Sequence, residues 1–264
     1  MTNIVGMMWN KNEGDILAEI LTEAVKQVDL LYVADDGSTD DSWQIIQEAA
    51  RLDKTIIPQR NPSEKDPGQR QSLLDKIRSR HNPADTWVQI IESDIMILET
   101  DILEAIRTRA VGDIAVTWQA LNGVRPVGGW AGVDTYPNWT MSIKELLPLA
   151  HRMEHMVYTF RPLPDLFYQP IWRPWPSGFS KYHKGTMDPD VRDGNTPLLA
   201  HYGYRGPKHF KKKYAKMGAA HRKYKSWNLT SEDTILSTVA FFNGEWNRKT
   251  FPMSREGWAN RKKG

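Results

Sequence analysis

Three short apolar runs, each broken at once by a polar cluster, limit what this chain can fold into. Ile4 to Met8 runs into WNKNEGD, Leu30 to Ala34 into DDGSTDD, and Trp87 to Ile91 into ESD. The segments between them carry apolar residues at helical spacing. One such segment spans Ile16 to Val28, and a second includes Trp43, Ile45, Ile46 and Ala49, with Asp40 or Asp41 as its cap. A third, from Gln69 to Arg80, carries Leu73, Leu74 and Ile77, and a fourth spans Asp101 to Arg109. Thr55 to Pro58 reads as a weaker strand stopped by proline, and DIAVTW (113–118) as a fifth strand. Strands alternating with helices of this length predict an α/β fold, a mostly parallel sheet covered on both faces. Ligands of such sheets bind beyond the carboxyl ends of the strands, where the three polar clusters leave.

Beyond Leu121 the period is lost. LNGVRPVGGWAGVDTYPNW and RPLPDLFYQPIWRPWPSGFSKYHKG are rich in Gly, Pro and aromatic residues, which suits binding loops. Five of the 11 tryptophans lie between Trp118 and Trp175, positioned either to stack on sugars or bases or to pack. At 264 residues the chain suffices for one large domain whose second half is elaborated, with the change of character near residue 118.

With no cysteine, disulfides, thiolate zinc sites and cysteine nucleophiles are excluded. The start MTNIVGMMWNKNEGD lacks a signal-peptide pattern, and no window approaches the roughly 20 apolar residues of a membrane span, so a soluble cytoplasmic protein without a transmembrane segment is expected. Net charge is +3, yet residues 198–264 hold 15 Lys or Arg against 4 Asp or Glu, and residues 1–197 hold 20 against 28. Either HFKKKYAKMGAAHRKYK is a solvated helix, or the basic quarter faces an anionic partner.

The order NE (Asn12, Glu13), then ADDGSTDDS, then a carboxylate motif after the fourth strand resembles the nucleotide-sugar half of family 2 glycosyltransferases with the GT-A fold. The resemblance makes residues 1–118 a nucleotide-sugar-binding half and 119–264 an acceptor-binding half with basic C-terminal helices. It implies that Asp35 or Asp36 accepts a base N–H, that the turn at Gly37 lets backbone approach the ribose, and that Arg70 in GQRQSLL meets phosphate or other donor groups. Asp40 and Asp41 read as helix caps. IIESDIM stands where the family has its DxD motif, with Glu92 in the place of the first aspartate, then Ser93, and Asp94 as the metal ligand. His201 in LLAHYGY matches a late histidine that completes the metal site in related branches, and an imidazole favours Mn2+ over Mg2+.

An inverting transferase also needs a base for the acceptor hydroxyl. Asp188 and Asp190 in GTMDPDVRDG are favoured by chain order, and Asp233 in TSEDTIL by motif similarity. The expected reaction moves a sugar from a nucleotide-diphosphate donor to a glycan or lipid-linked acceptor. A modified base in DNA (a hydroxymethylpyrimidine) is the alternative acceptor, given Tyr214, Tyr224 and Trp227 within the basic quarter. A non-catalytic nucleotide- or sugar-binding module is the third reading.

Overall fold

A computed structural model of the chain describes residues 2–60, 68–98, 101–108, 114–124, 142–146, 149–168, 176–178, 186–187, 198–202 and 251–252, and singly 254, 256 and 260. In chain order the elements are β1 (Asn3–Asn10), α1 (Gly14–Ala24), β2 (Leu30–Asp35), α2 (Ser42–Leu52), β3 (Ile56–Arg60), α3 (Gly68–Arg80), β4 (Thr86–Glu92), β5 (Ile95–Ile97) and α4 (Asp101–Arg107). They continue with β6 (Ala115–Val124), α5 (Ile143–Leu146), β7 (Leu149–Phe160), β8 (Thr186–Met187), β9 (Leu198–His201) and β10 (Phe251–Pro252). Two compact units share these: Met1–Ala120 with Glu154–Leu199, and Leu121–Met153 with Ala200–Gly264.

The first unit holds the expected parallel sheet. β1 pairs in parallel with β2 and with β4, β2 pairs with β3, and the sheet order begins β3-β2-β1-β4-β7. Central strands buried on both faces read as continuous apolar runs, which is why Ile4, Val5, Met7, Met8, Leu31, Val33, Val88, Ile90 and Ile91 all reach the core. α1 buries Ile16, Leu17, Ile20, Leu21 and Ala24, one helical stripe, and α3 buries Leu73, Leu74 and Ile77. In the second unit, β10 pairs antiparallel with the start of β7, Phe251 opposite Ala150.

Several boundaries differ from the sequence expectation. β3 is not stopped by Pro58 but runs on to Arg60, with Pro58 opposite Val33. As an edge strand it tolerates a proline, whose missing N–H leaves no ladder bond unmade on the unpaired side. α1 ends at Ala24 rather than Val28, because the chain must turn to bring Asp29 N–H onto the Ile4 carbonyl at 2.8 Å. α4 ends at Arg107, and β6 continues to Val124. β5, directly after ESD, and the 12-residue β7 lie where no strand was expected.

Candidate functional site

The loops after β1 and β2 are knitted together. Asn12 adopts a left-handed backbone (φ 57°), which turns its amide toward the second loop. Its Oδ1 accepts from Thr39 N at 2.7 Å and Thr39 Oγ1 at 3.2 Å, while its own N–H donates to Ser38 Oγ at 2.9 Å. Glu13 is the N-cap residue of α1, its carbonyl accepting from Ile16 and Leu17 N–H and its N–H donating to Ser42 Oγ. Asp40 bridges both loops: one oxygen accepts from Ser42 N and the other from Gly14 N. Gly14 sits so close that a Cβ there would fall 2.1 Å from Asp41 Oδ1. Asp41 takes the N-cap position of α2 without a side-chain capping bond, so the capping carboxylate is that of Asp40.

The two aspartates of DDGS play different parts. Asp35, at 0% exposure, accepts from Asn10 Nδ2 and Ser38 Oγ on one oxygen and from Ser38 N and Arg60 Nε on the other. Its carboxylate is committed to holding the loop. Arg60 adds a bond to the Ser38 carbonyl and lies 5.3 Å from the Trp43 ring centroid. The Asp36 carboxylate forms an ion pair with Lys11 at 2.9 Å, and the Lys11 side chain is 44% exposed. Gly37 follows at φ 66°, a conformation that glycine adopts without strain. Among the described residues the Oδ1 of buried Asn10 has no hydrogen-bond partner, which leaves an acceptor for water or a ligand N–H.

A second polar group forms at the end of β4. Glu92 closes the strand, and Ser93 and Asp94 make a buried turn into β5. Tyr158 of β7 donates its hydroxyl to Glu92 Oε2 at 3.3 Å. Burial first, then the charges of Glu92 and Asp94 and the bond to Glu92, hold this phenol well above its usual range, with Arg70 opposing. Arg70 is buried on α3 and stacks 4.0 Å from the Trp9 ring centroid. Trp9 in turn meets Tyr168 edge to face at 6.5 Å.

Hard carboxylate oxygens at a strand end suit Mg2+ or Mn2+. Among the described residues no three His, Cys, Asp or Glu side chains gather as a cage, so a cation at Glu92 and Asp94 would take further oxygens from water and a bound diphosphate, as such ions commonly do. His201 closes β9, is buried, and belongs to the second unit. Asp188, Asp190 and Asp233 lie outside the described residues, as do Tyr214, Tyr224 and Trp227. Trp118 is buried and donates to Thr159 Oγ1 at 2.7 Å, so it packs and does not present a stacking face.

Sequence reading passed over Asn10, Arg60, Trp9 and Tyr158. Asn10 carried a usable signal as the polar residue that ends an apolar strand beside DDGS. Tyr158 carried none, since its place depends on a non-local strand pairing.

Residues 7–107 match the family described as glycosyl transferase family 2. The match covers less than half the chain and takes in both knitted loops and the β4 turn. No curated protein matches the sequence. Among solved structures, a mannosyltransferase from Pyrobaculum calidifontis in complex with GDP-Man and Mn2+ is similar at 15% identity and TM-score 0.47, over 92% of this chain and 74% of that one. A glucosyl-3-phosphoglycerate synthase from Mycobacterium tuberculosis, in complex with Mn2+, UDP and glucosyl-3-phosphoglycerate, is similar at 16% identity and TM-score 0.33, over 50% of this chain and 47% of that one. A mannosyl-3-phosphoglycerate synthase from Rubrobacter xylanophilus gives 13% identity and TM-score 0.34, over 46% and 40%. This chain thus spans less than half the length of the latter two.

Proposed function

We propose that this chain, whose residues 7–107 match glycosyl transferase family 2, moves a sugar from a nucleotide-diphosphate donor to a hydroxyl of a glycan or lipid-linked acceptor, with inversion and with Mn2+ or Mg2+. The observation that carries this reading is the pairing, in one unit, of a locked loop offering Asp36 with a carboxylate turn at Glu92 and Asp94. Asp36 accepts the N–H of a base edge once Lys11 swings away, and the Lys11 ammonium is then placed to donate to an adjacent base carbonyl or a phosphate. Gly37 admits the ribose, and Arg70, pinned on Trp9, adds positive charge near the leaving group. Bound at Asp94, the cation would neutralise the departing diphosphate. His201 is a further ligand on the sequence resemblance alone.

A carboxylate among Asp188, Asp190 and Asp233 takes the proton of the acceptor hydroxyl. The charge of residues 198–264 supports a second acceptor, a modified base in DNA. Incubating the protein with UDP- and GDP-sugars, with and without Mn2+, tests the reaction through release of free UDP or GDP. Metal-dependent release that disappears in Asp94→Ala is expected; no release from any nucleotide sugar would overturn the reading. DNA binding that falls steeply with salt would move the acceptor to DNA.

A further inference from the structure

Glu92 stands where the resembled motif has a shorter aspartate, and the extra methylene gives its carboxylate a freedom that something must remove. The strand beside it is built to do so. β7 runs antiparallel to β4 with Gln89 opposite Thr159 and Val88 opposite Phe160. That register is fixed by a fully buried polar chain in which Trp118 Nε1 donates to Thr159 Oγ1 at 2.7 Å and Thr159 donates to Gln89 Oε1 at 2.5 Å. Slipping β7 by one residue would leave all three groups buried without partners. Successive side chains alternate faces, so with Thr159 committed to this chain, Tyr158 projects on the other side. There, at 1% exposure, its hydroxyl meets Glu92 Oε2 at 3.3 Å.

We infer that Tyr158 is a positioning residue, anchoring the Glu92 carboxylate at the β4 turn so that a glutamate serves there in receiving a cation-bound diphosphate. The inference rests on the nucleotide-diphosphate reading above. Tyr158 touches no reacting atom; it acts through Glu92. An aspartate at position 92 would fall short of the hydroxyl, and a phenylalanine at 158 would keep the ring packing but remove that hydrogen bond to Glu92.

Calorimetric titration of the full chain with UDP and with GDP, each with and without Mn2+, tests this alongside thermal unfolding. Tyr158→Phe should leave the metal-free affinity as in the wild type and reduce the gain that Mn2+ confers by about tenfold, the scale of outer-shell effects. Glu92→Asp should lose a similar part of that gain. The double variant should lose no more than either single one, because one anchored carboxylate cannot be released twice. A wild-type gain in Tyr158→Phe, or additive losses, would overturn the inference. If Tyr158→Phe does not fold, Glu92→Asp decides it, an unchanged gain being the overturning result. A wild type showing no Mn2+-dependent gain with either nucleotide would instead defeat the nucleotide-diphosphate reading, and this inference with it.

Discussion

The two ends of the parallel sheet are both polar, but they are wired differently. At the amino end, Asp29 accepts from Ile4 N at 2.7 Å and takes both terminal nitrogens of Arg107, at 2.6 and 3.0 Å. Arg161, 2% exposed, caps the Ala84 carbonyl at 2.7 Å just before β4 and stacks 4.2 Å from Trp87. These bonds tie a strand start to a helix or loop and leave little to offer a ligand. At the carboxyl end, Asp35 is spent inside its loop, and its neighbour Asp36 is held by one displaceable lysine. Charge at one end closes the fold; at the other, a closed frame presents charge outward.

That contrast can be broken by substitution. The largest effect is expected at the carboxyl end, where Asp94→Ala should lower turnover by about 10² to 10³, the scale of losing one electrostatic stabiliser, with no change in melting temperature. Steady-state kinetics beside thermal unfolding would check it. Asp36→Ala should weaken nucleotide binding by about 1 to 3 kcal/mol and leave stability unchanged. Asp35→Ala should lose stability as well, because Asn10, Ser38 and Arg60 each lose a hydrogen bond to its carboxylate, the first two of them buried residues.

At the amino end the pattern should invert. Arg107→Ala should cost about 0.2 to 1 kcal/mol of stability, given a partly exposed pair, and leave kinetics untouched. Although burial opposes it, the Arg107 hydrogen bond, the Ile4 N–H and the Arg107 charge hold the Asp29 carboxyl below its ordinary range. Its contribution is therefore present above the unfolded carboxylate range near pH 4 and is lost as pH falls through the folded value. The stability gap between wild type and Arg107→Ala should close in acid.

The smallest effect is expected at His81, whose ring lies 3.1 Å from the Tyr32 hydroxyl. Burial, then the Arg80 charge, lowers its pKa, so the fold should lose a little stability as pH drops below about 6.5, where the unfolded imidazole takes its proton first. A His81→Gln variant should lack that step in melting temperature.

How much of this was legible in the sequence follows the same division. Apart from β5, the strands and helices up to Arg107 were readable because a parallel sheet covered on both faces writes itself as apolar runs, and the motif residues Asn12, Asp36 and Asp94 stand where those runs end. The division of labour between Asp35 and Asp36 was not readable, since it depends on Arg60 arriving from a strand expected to stop at Pro58. Nor was Tyr158: β7 alternates too irregularly in HRMEHMVYTF to declare itself, and its hydroxyl meets Glu92 across 66 residues of chain. Asp40 and Asp41 read alike as caps, and only the fold shows that the side-chain bond to the first residue of α2 comes from Asp40.

The central claim is that the carboxyl end of this sheet receives a nucleotide diphosphate with its metal. Calorimetric titration of UDP and GDP in the presence of Mn2+ against wild type, Asp36→Ala, Asp94→Ala and Arg107→Ala tests it most directly. The account predicts that one of these nucleotides binds the wild type and Arg107→Ala equally, binds Asp36→Ala more weakly with or without metal, and loses only its Mn2+-dependent gain in Asp94→Ala. Equal binding by all four proteins, or a loss confined to Arg107→Ala, would contradict it.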